Sequence, residues 1–145
     1  MKNIILIILI LISFSSSAQK AEIFQKDGFA IRGYDAVAFF TESKAVKGDS
    51  LNMLEWRNAK WLFSSRQNLD AFRLDPEKYA PQYGGYCAYG TAEGHKAPTD
   101  AGTWTIINDK LYFNYNGKVK ELWSKKTKEY IEKADENWPQ VKDKE

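Results

Sequence analysis

Between residues 50 and 115 apolar and polar positions alternate in short runs; beyond residue 116 they change to helical spacing. The clearest alternation is at 103–107 and 110–115. Trp104 and Ile106 interleave with threonines, and Leu111, Phe113 and Tyr115 share the expected core face of the second run. Asn108-Asp109 between them tolerates the positive φ angles of a two-residue hairpin turn. Residues 52–56 and 60–63 predict a second hairpin around Arg57-Asn58-Ala59. A short helix is expected from Ser64, because Ser64 and Gln67 have the spacing of a capping box. Leu69, Ala71 and Phe72 are its expected buried face. Asp75-Pro76 ends it and starts another turn, with Asp75 as cap and Pro76 in the first helical position, from which Tyr79 packs inward. Residues 117–137 predict a long amphipathic helix capped by Asn116 and stopped by Pro139. Its buried stripe is Val119, Leu122, Trp123, Tyr130, Ile131, Ala134 and Trp138. The apolar run at 34–40 reads as a strand, and 41–50 and 91–102 read as loops. No repeat and no internal linker is visible. The expected fold class is α+β: small antiparallel β-hairpins packed against a short central helix and a long C-terminal amphipathic helix.

The N-terminus changes the picture of where this domain works. Lys2 precedes an unbroken apolar run at 4–12, and Ser16-Ser17-Ala18 supplies small residues before Gln19, the pattern of a cleaved signal peptide. The apolar run is well short of the ~20 residues a spanning helix needs. The expected organisation is a signal peptide at 1–18, a polar lead-in at 19–32, one domain at 33–139 and a charged tail at 140–145. Export to the periplasm or the medium follows, with no membrane span after cleavage. Without Lys2 the balance is 20 Lys+Arg against 19 Asp+Glu, which forces no basic face and argues against a nucleic-acid partner. Aromatic residues make up 14% of the chain, enough large rings to build a small core without disulfides.

Candidate chemistry centres on residues 83–90, Tyr-Gly-Gly-Tyr-Cys-Ala-Tyr-Gly. They hold the chain's single cysteine among three tyrosines and three glycines. Gly84 and Gly85 suggest a tight bend or a close approach of backbone. No sequence here matches a phosphate-binding loop, a paired-carboxylate hydrolase signature or a nucleotide fingerprint.

Several segments together resemble a known family. Lys60-Trp61-Leu62-Phe63-Ser64-Ser65, followed by Asn68, Phe72, Asp75-Pro76, Lys78 and Tyr79, resembles the core of the YHS domain. Residues 33–40, Gly-Tyr-Asp-Ala-Val-Ala-Phe-Phe, and residues 83–90 resemble the small exported bacterial members of that family. The resemblance spans about Gly33 to Pro139. It implies metal binding, because YHS domains occur in heavy-metal transporters and related metal-handling proteins. In those versions cysteines stand where this chain has Ser64 and Asn68, neither a good soft-metal ligand. Ser64 is therefore expected to serve as a helix cap.

Three readings of the site follow. Cys87 and His95, the only histidine, are the remaining soft or borderline ligands, suited to an ion such as copper or zinc if a loop brings them together. A small ligand is the second: Tyr34, Asp35, Tyr83, Tyr86, Cys87 and Tyr89, with Trp61, would line its cleft. The third is a thiol-dependent redox protein, with Cys87 at a helix N-terminus that lowers its pKa and His95 as its base. The expectation taken forward is a YHS-type binding domain for a metal ion or a small ligand near Cys87, with the redox protein as the alternative.

Overall fold

The structure, a computed structural model, describes residues 21–144. The expected signal peptide lies outside the described residues. Strands β1 (Gln25–Lys26) and β2 (Phe29–Ala30) pair through Asp27-Gly28, both at positive φ. Helix α1 (Ala38–Thr41), strands β3 (Asp49–Trp56) and β4 (Ala59–Phe63), and helices α2 (Arg66–Leu74) and α3 (Pro76–Tyr79) follow. The second half holds α4 (Ala88–Ala92), β5 (Asp100–Ile107), β6 (Lys110–Asn114), α5 (Gly117–Ser124) and α6 (Thr127–Val141). This is a mixed α+β fold, with one sheet in the order β1-β2-β4-β3 and a separate β5-β6 hairpin. The β2–β4 pair is parallel; the other pairs are antiparallel. Both hairpins turn through two residues in left-handed backbone, Arg57-Asn58 (φ 49° and 58°) and Asn108-Asp109 (φ 50° and 60°), which matches the twist of the strands they join.

Strand β6 divides the interior into two cores. Leu111 and Phe113 join a cluster with Phe39, Trp61, Phe63 and Phe72, while Tyr112 joins Tyr83, Trp123 and Ala134. Rings meet edge-on or tilted in the first cluster, with Trp61 and Phe72 centroids 4.9 Å apart and Trp56 perpendicular to Phe72. Each such pair is worth about 0.5–1.5 kcal/mol beyond its area. Strict alternation misplaces Tyr115 because β6 ends one residue before it, at Asn114. Tyr115 is 52% exposed, and Tyr112 is the buried tyrosine of this strand.

Further expectations are corrected. Residues 34–40 do not form a strand: Tyr34 makes a single bridge to Lys47, and the chain then enters α1. The cap of α2 is Ser65, whose hydroxyl accepts from the Asn68 N–H, so Ser64 is not the helix cap. The long C-terminal helix is broken at Lys125-Lys126 and is not stopped by Pro139, which lies inside α6. Proline costs α6 only one backbone bond in its last turn, and Val141, 1% exposed, holds that turn on the core. Leu122 is largely exposed, whereas Trp123 is buried. The packed unit also exceeds 33–139: Ile23 in the expected lead-in and Val141 in the expected tail are both buried.

Candidate functional site

The positions that the YHS resemblance points to gather around Asp35. Its carboxylate is fully buried. Oδ1 accepts from the Val37 and Ala38 N–H groups at 2.9 and 3.1 Å, which starts α1. Oδ2 accepts from the Ser64 N–H (2.8 Å), the Ser64 hydroxyl (2.7 Å) and Asn68 Nδ2 (2.8 Å). Asp35, Ser64 and Asn68 thus form one closed network that ties the start of α1 to the end of β4 and the first turn of α2. Five donors on two oxygens leave the carboxylate no free lone pair for a ligand.

Cys87 caps α4, and the Gly90 N–H points at its Sγ at 3.4 Å. The thiol lies 3.5 Å from Asn114 Oδ1, which also accepts from the Tyr89 N–H. Burial pushes the Cys87 thiol up, and this outweighs the lowering by backbone hydrogen bonds from Gly90, Tyr115 and Tyr89. The expected depression at a helix N-terminus is therefore reversed, because the thiol is 1% exposed. His95 is exposed, and its ring packs against Gly90: a Cβ built on Gly90 would stand 3.4 Å from His95 Nε2. Among the described residues no hydrogen bond joins Cys87 to His95, and no group of three or more His, Cys, Asp and Glu side chains could hold a metal ion.

The tyrosines divide between different surroundings. Tyr34 is half-buried under the Lys47 ammonium, 4.2 Å from its ring centroid. Tyr86 is buried against Phe24 and Trp138 and donates to the Ala21 carbonyl at 2.6 Å. Tyr89 lies against Tyr130, with tilted rings 5.1 Å apart at their centroids. Trp61, 1% exposed, belongs to the core. Tyr83 lines a cleft of about 360 Å³, and Tyr86 lines a separate one of about 380 Å³ with Phe24, Lys96 and Pro98.

The Tyr83 cleft is built on the glycine bend. Tyr83, Gly84 and Gly85 all have left-handed backbone, at φ 56°, 62° and 84°. Gly84 admits the Glu22 backbone so closely that a Cβ there would lie 1.8 Å from the Glu22 carbonyl oxygen, and the Phe24 N–H donates to the Gly84 carbonyl at 2.8 Å. Only glycine fits both the backbone conformation and the contact. The bend presents Tyr83, whose hydroxyl donates to Asp135 Oδ1 at 2.8 Å. Burial first, then this bond and the Asp135 charge, push the Tyr83 hydroxyl far above the ordinary tyrosine range. Trp56 and Trp138 supply aromatic wall, and Glu22, Arg57, Glu77, Lys110 and Asp135 supply charge of both signs. Arg57 pairs with Glu22 and Glu77 and lies 4.4 Å from the Trp56 ring centroid.

No protein-family profile, no curated protein and no solved structure matches this chain. Among the described residues no helix is long and apolar enough to cross a membrane. Of the residues lining the cleft at the glycine bend, the sequence singles out Tyr83 as a ligand candidate and none of its charged partners. Arg57 reads only as a turn residue and Trp138 only as part of a buried stripe. Glu22, Glu77, Lys110 and Asp135 carry no local signal, because four separate segments bring them together.

Proposed function

We propose that this chain is an exported binding domain of the YHS type that takes a small zwitterionic organic molecule in the cleft beside Tyr83. The observation that carries this reading is the cleft's composition. Its volume of about 360 Å³ falls in the range of small-molecule sites, and its rim combines two cations with three carboxylates. A ligand ammonium suits the carboxylates and the indole faces of Trp56 and Trp138. A ligand carboxylate suits Lys110, and the guanidinium of Arg57 in exchange for the Glu22 and Glu77 carboxylates that it holds in the free domain. We favour this cleft over Cys87 because the buried thiol, with its raised pKa, disfavours the thiolate that binds copper or zinc or attacks a disulfide.

Trp56 and Trp138 provide the readout. Tryptophan fluorescence is titrated with free amino acids and glycine betaine, and with Cu(I) and Zn(II), on wild type, Arg57→Gln and Cys87→Ser. Saturable binding of a zwitterion, weakened about tenfold in Arg57→Gln and kept in Cys87→Ser, is expected. Absence of any zwitterion response, with stoichiometric metal uptake lost in Cys87→Ser, would return the site to the thiol.

A further inference from the structure

We infer that the described domain is built from two copies of one structural plan, and that Asp35 and Cys87 are the same anchoring position in the two copies. The strand pairings carry this. The first hairpin pairs Asp49↔Phe63, Leu54↔Trp61 and Trp56↔Ala59; the second pairs Asp100↔Asn114, Thr105↔Tyr112 and Ile107↔Lys110, a constant offset of 51 residues. Both hairpins shift register at the same place, after Asp49 and after Asp100. At both shifts the aspartate Oδ1 accepts from the N–H two residues on, Leu51 at 2.8 Å and Gly102 at 2.7 Å. Both then run through one exposed residue into a capped helix. Ser65 accepts from the Asn68 N–H, and Asn116 accepts from the Val119 N–H, again 51 residues apart.

The segments before the hairpins agree as closely. Ile31, Arg32 and Gly33 form a run of three left-handed residues, as do Tyr83, Gly84 and Gly85, offset by 52. The Tyr34 N–H donates to the Ile31 carbonyl and the Tyr86 N–H to the Tyr83 carbonyl, each at 3.0 Å. The Asp35 N–H donates to the Val46 carbonyl at 2.8 Å and the Cys87 N–H to the Ala97 carbonyl at 3.0 Å. The Gly33 carbonyl accepts from the Gly48 N–H, and the Gly85 carbonyl from the Thr99 hydroxyl. A β-branched residue such as Ile31 in left-handed backbone is a rare strain, so its recurrence at the same place as Tyr83 marks a shared plan.

The two anchors occupy equivalent places. Asp35 starts α1 and takes the Ser64 N–H. Cys87 starts α4, its Sγ taking the Gly90 N–H at 3.4 Å, and the backbone N–H of Tyr115, the residue 51 beyond Ser64, lowers the pKa of the thiol. Beside the thiol, Asn114 keeps a buried Nδ2 with no hydrogen-bond partner among the described residues. The sequence hides the duplication, since residues 49–66 and 100–117 share only the aspartate at 49 and 100. A trace survives in Gly33-Tyr34-Asp35-Ala36 and Gly85-Tyr86-Cys87-Ala88. The duplication also gives Cys87 a role without metal or redox chemistry, as the second copy's tie between helix start and hairpin end.

The test compares Cys87→Asp with Cys87→Asn by thermal unfolding at pH 8. Asparagine has nearly the same size as aspartate and carries no charge, so at an ordinary buried site it is the milder change. At a position where N–H donors converge, aspartate accepts them all while the asparagine amide opposes one. Cys87→Asp is expected to unfold about 5 °C or more above Cys87→Asn. Cys87→Asn equal to or above Cys87→Asp, or folding where Cys87→Asp does not, overturns the equivalence. If neither folds, the reciprocal pair decides: Asp35→Cys above Asp35→Ala supports it, and Asp35→Cys at or below Asp35→Ala overturns it.

Discussion

Replacing Asp35 with alanine strips two oxygens from five donors. The cost follows from which donors water can reach. Ser64 is exposed and Asn68 half-buried, so their groups regain hydration. The Val37 and Ala38 N–H groups belong to residues 1% and 0% exposed and stay dry. Two buried donors left without partners cost about 1–3 kcal/mol each, which puts the loss near 4 kcal/mol. A domain of this size has a total stability of about 5–15 kcal/mol. The expected fall in Tm is on the order of 15 °C. Urea unfolding followed by tryptophan fluorescence reads the loss, because Trp61 lies in the core that α1 and β4 share. A loss under about 1 kcal/mol would refute the view that this network holds the first half together.

Gly84→Ala drives a Cβ into the Glu22 carbonyl and is expected to release the segment around Ile23. Gly28→Ala meets nothing within 4 Å and carries only its backbone cost of about 1 kcal/mol; hydrogen exchange at the Phe24 N–H separates the two. Cys87 is expected to resist iodoacetamide in the native protein and react once urea unfolds it, as mass spectrometry would read. Stability is expected to fall at alkaline pH. The folded pKa values of Cys87 and Tyr83 are raised, and that of Tyr112 is raised to about 12. Above pH 9–10 the unfolded chain therefore holds fewer protons than the fold. The stabilisation is whole below the ordinary values of 9.0 and 10.0 and is lost as pH rises through the folded ones. A Tm that stays flat from pH 9 to 12 would contradict this, and Tyr83→Phe is expected to flatten the decline.

The two hairpins were legible in the sequence because their turns, Arg57-Asn58 and Asn108-Asp109, announce themselves locally. So was the Asp75-Pro76 helix start, where Asp75 Oδ1 accepts from the Lys78 N–H. Alternation failed at Tyr115 because β6 ends before it, and at Tyr112 because β6 is covered on both faces, a tertiary fact that no single strand carries. The strand expected at 34–40 failed for a related reason. Asp35 accepts the first N–H groups of α1 only because Ser64 and Asn68, about thirty residues on, hold its other oxygen. Cys87 drew attention through its rarity, whereas its surroundings make it a buried tie. The cleft residues were illegible because Glu22, Arg57, Lys110 and Asp135 meet only after the chain has folded back over Gly84.

Amide and indole chemical-shift mapping by NMR, on protein titrated first with glycine betaine and free amino acids and then with Cu(I), tests the central claim most directly. The account predicts that the zwitterions move the signals of Trp56, Arg57, Gly84 and Trp138 while Gly90 and Tyr115 beside the thiol stay still. Shifts centred on Cys87, Gly90 and His95 with Cu(I), and none at the cleft with any zwitterion, would contradict it.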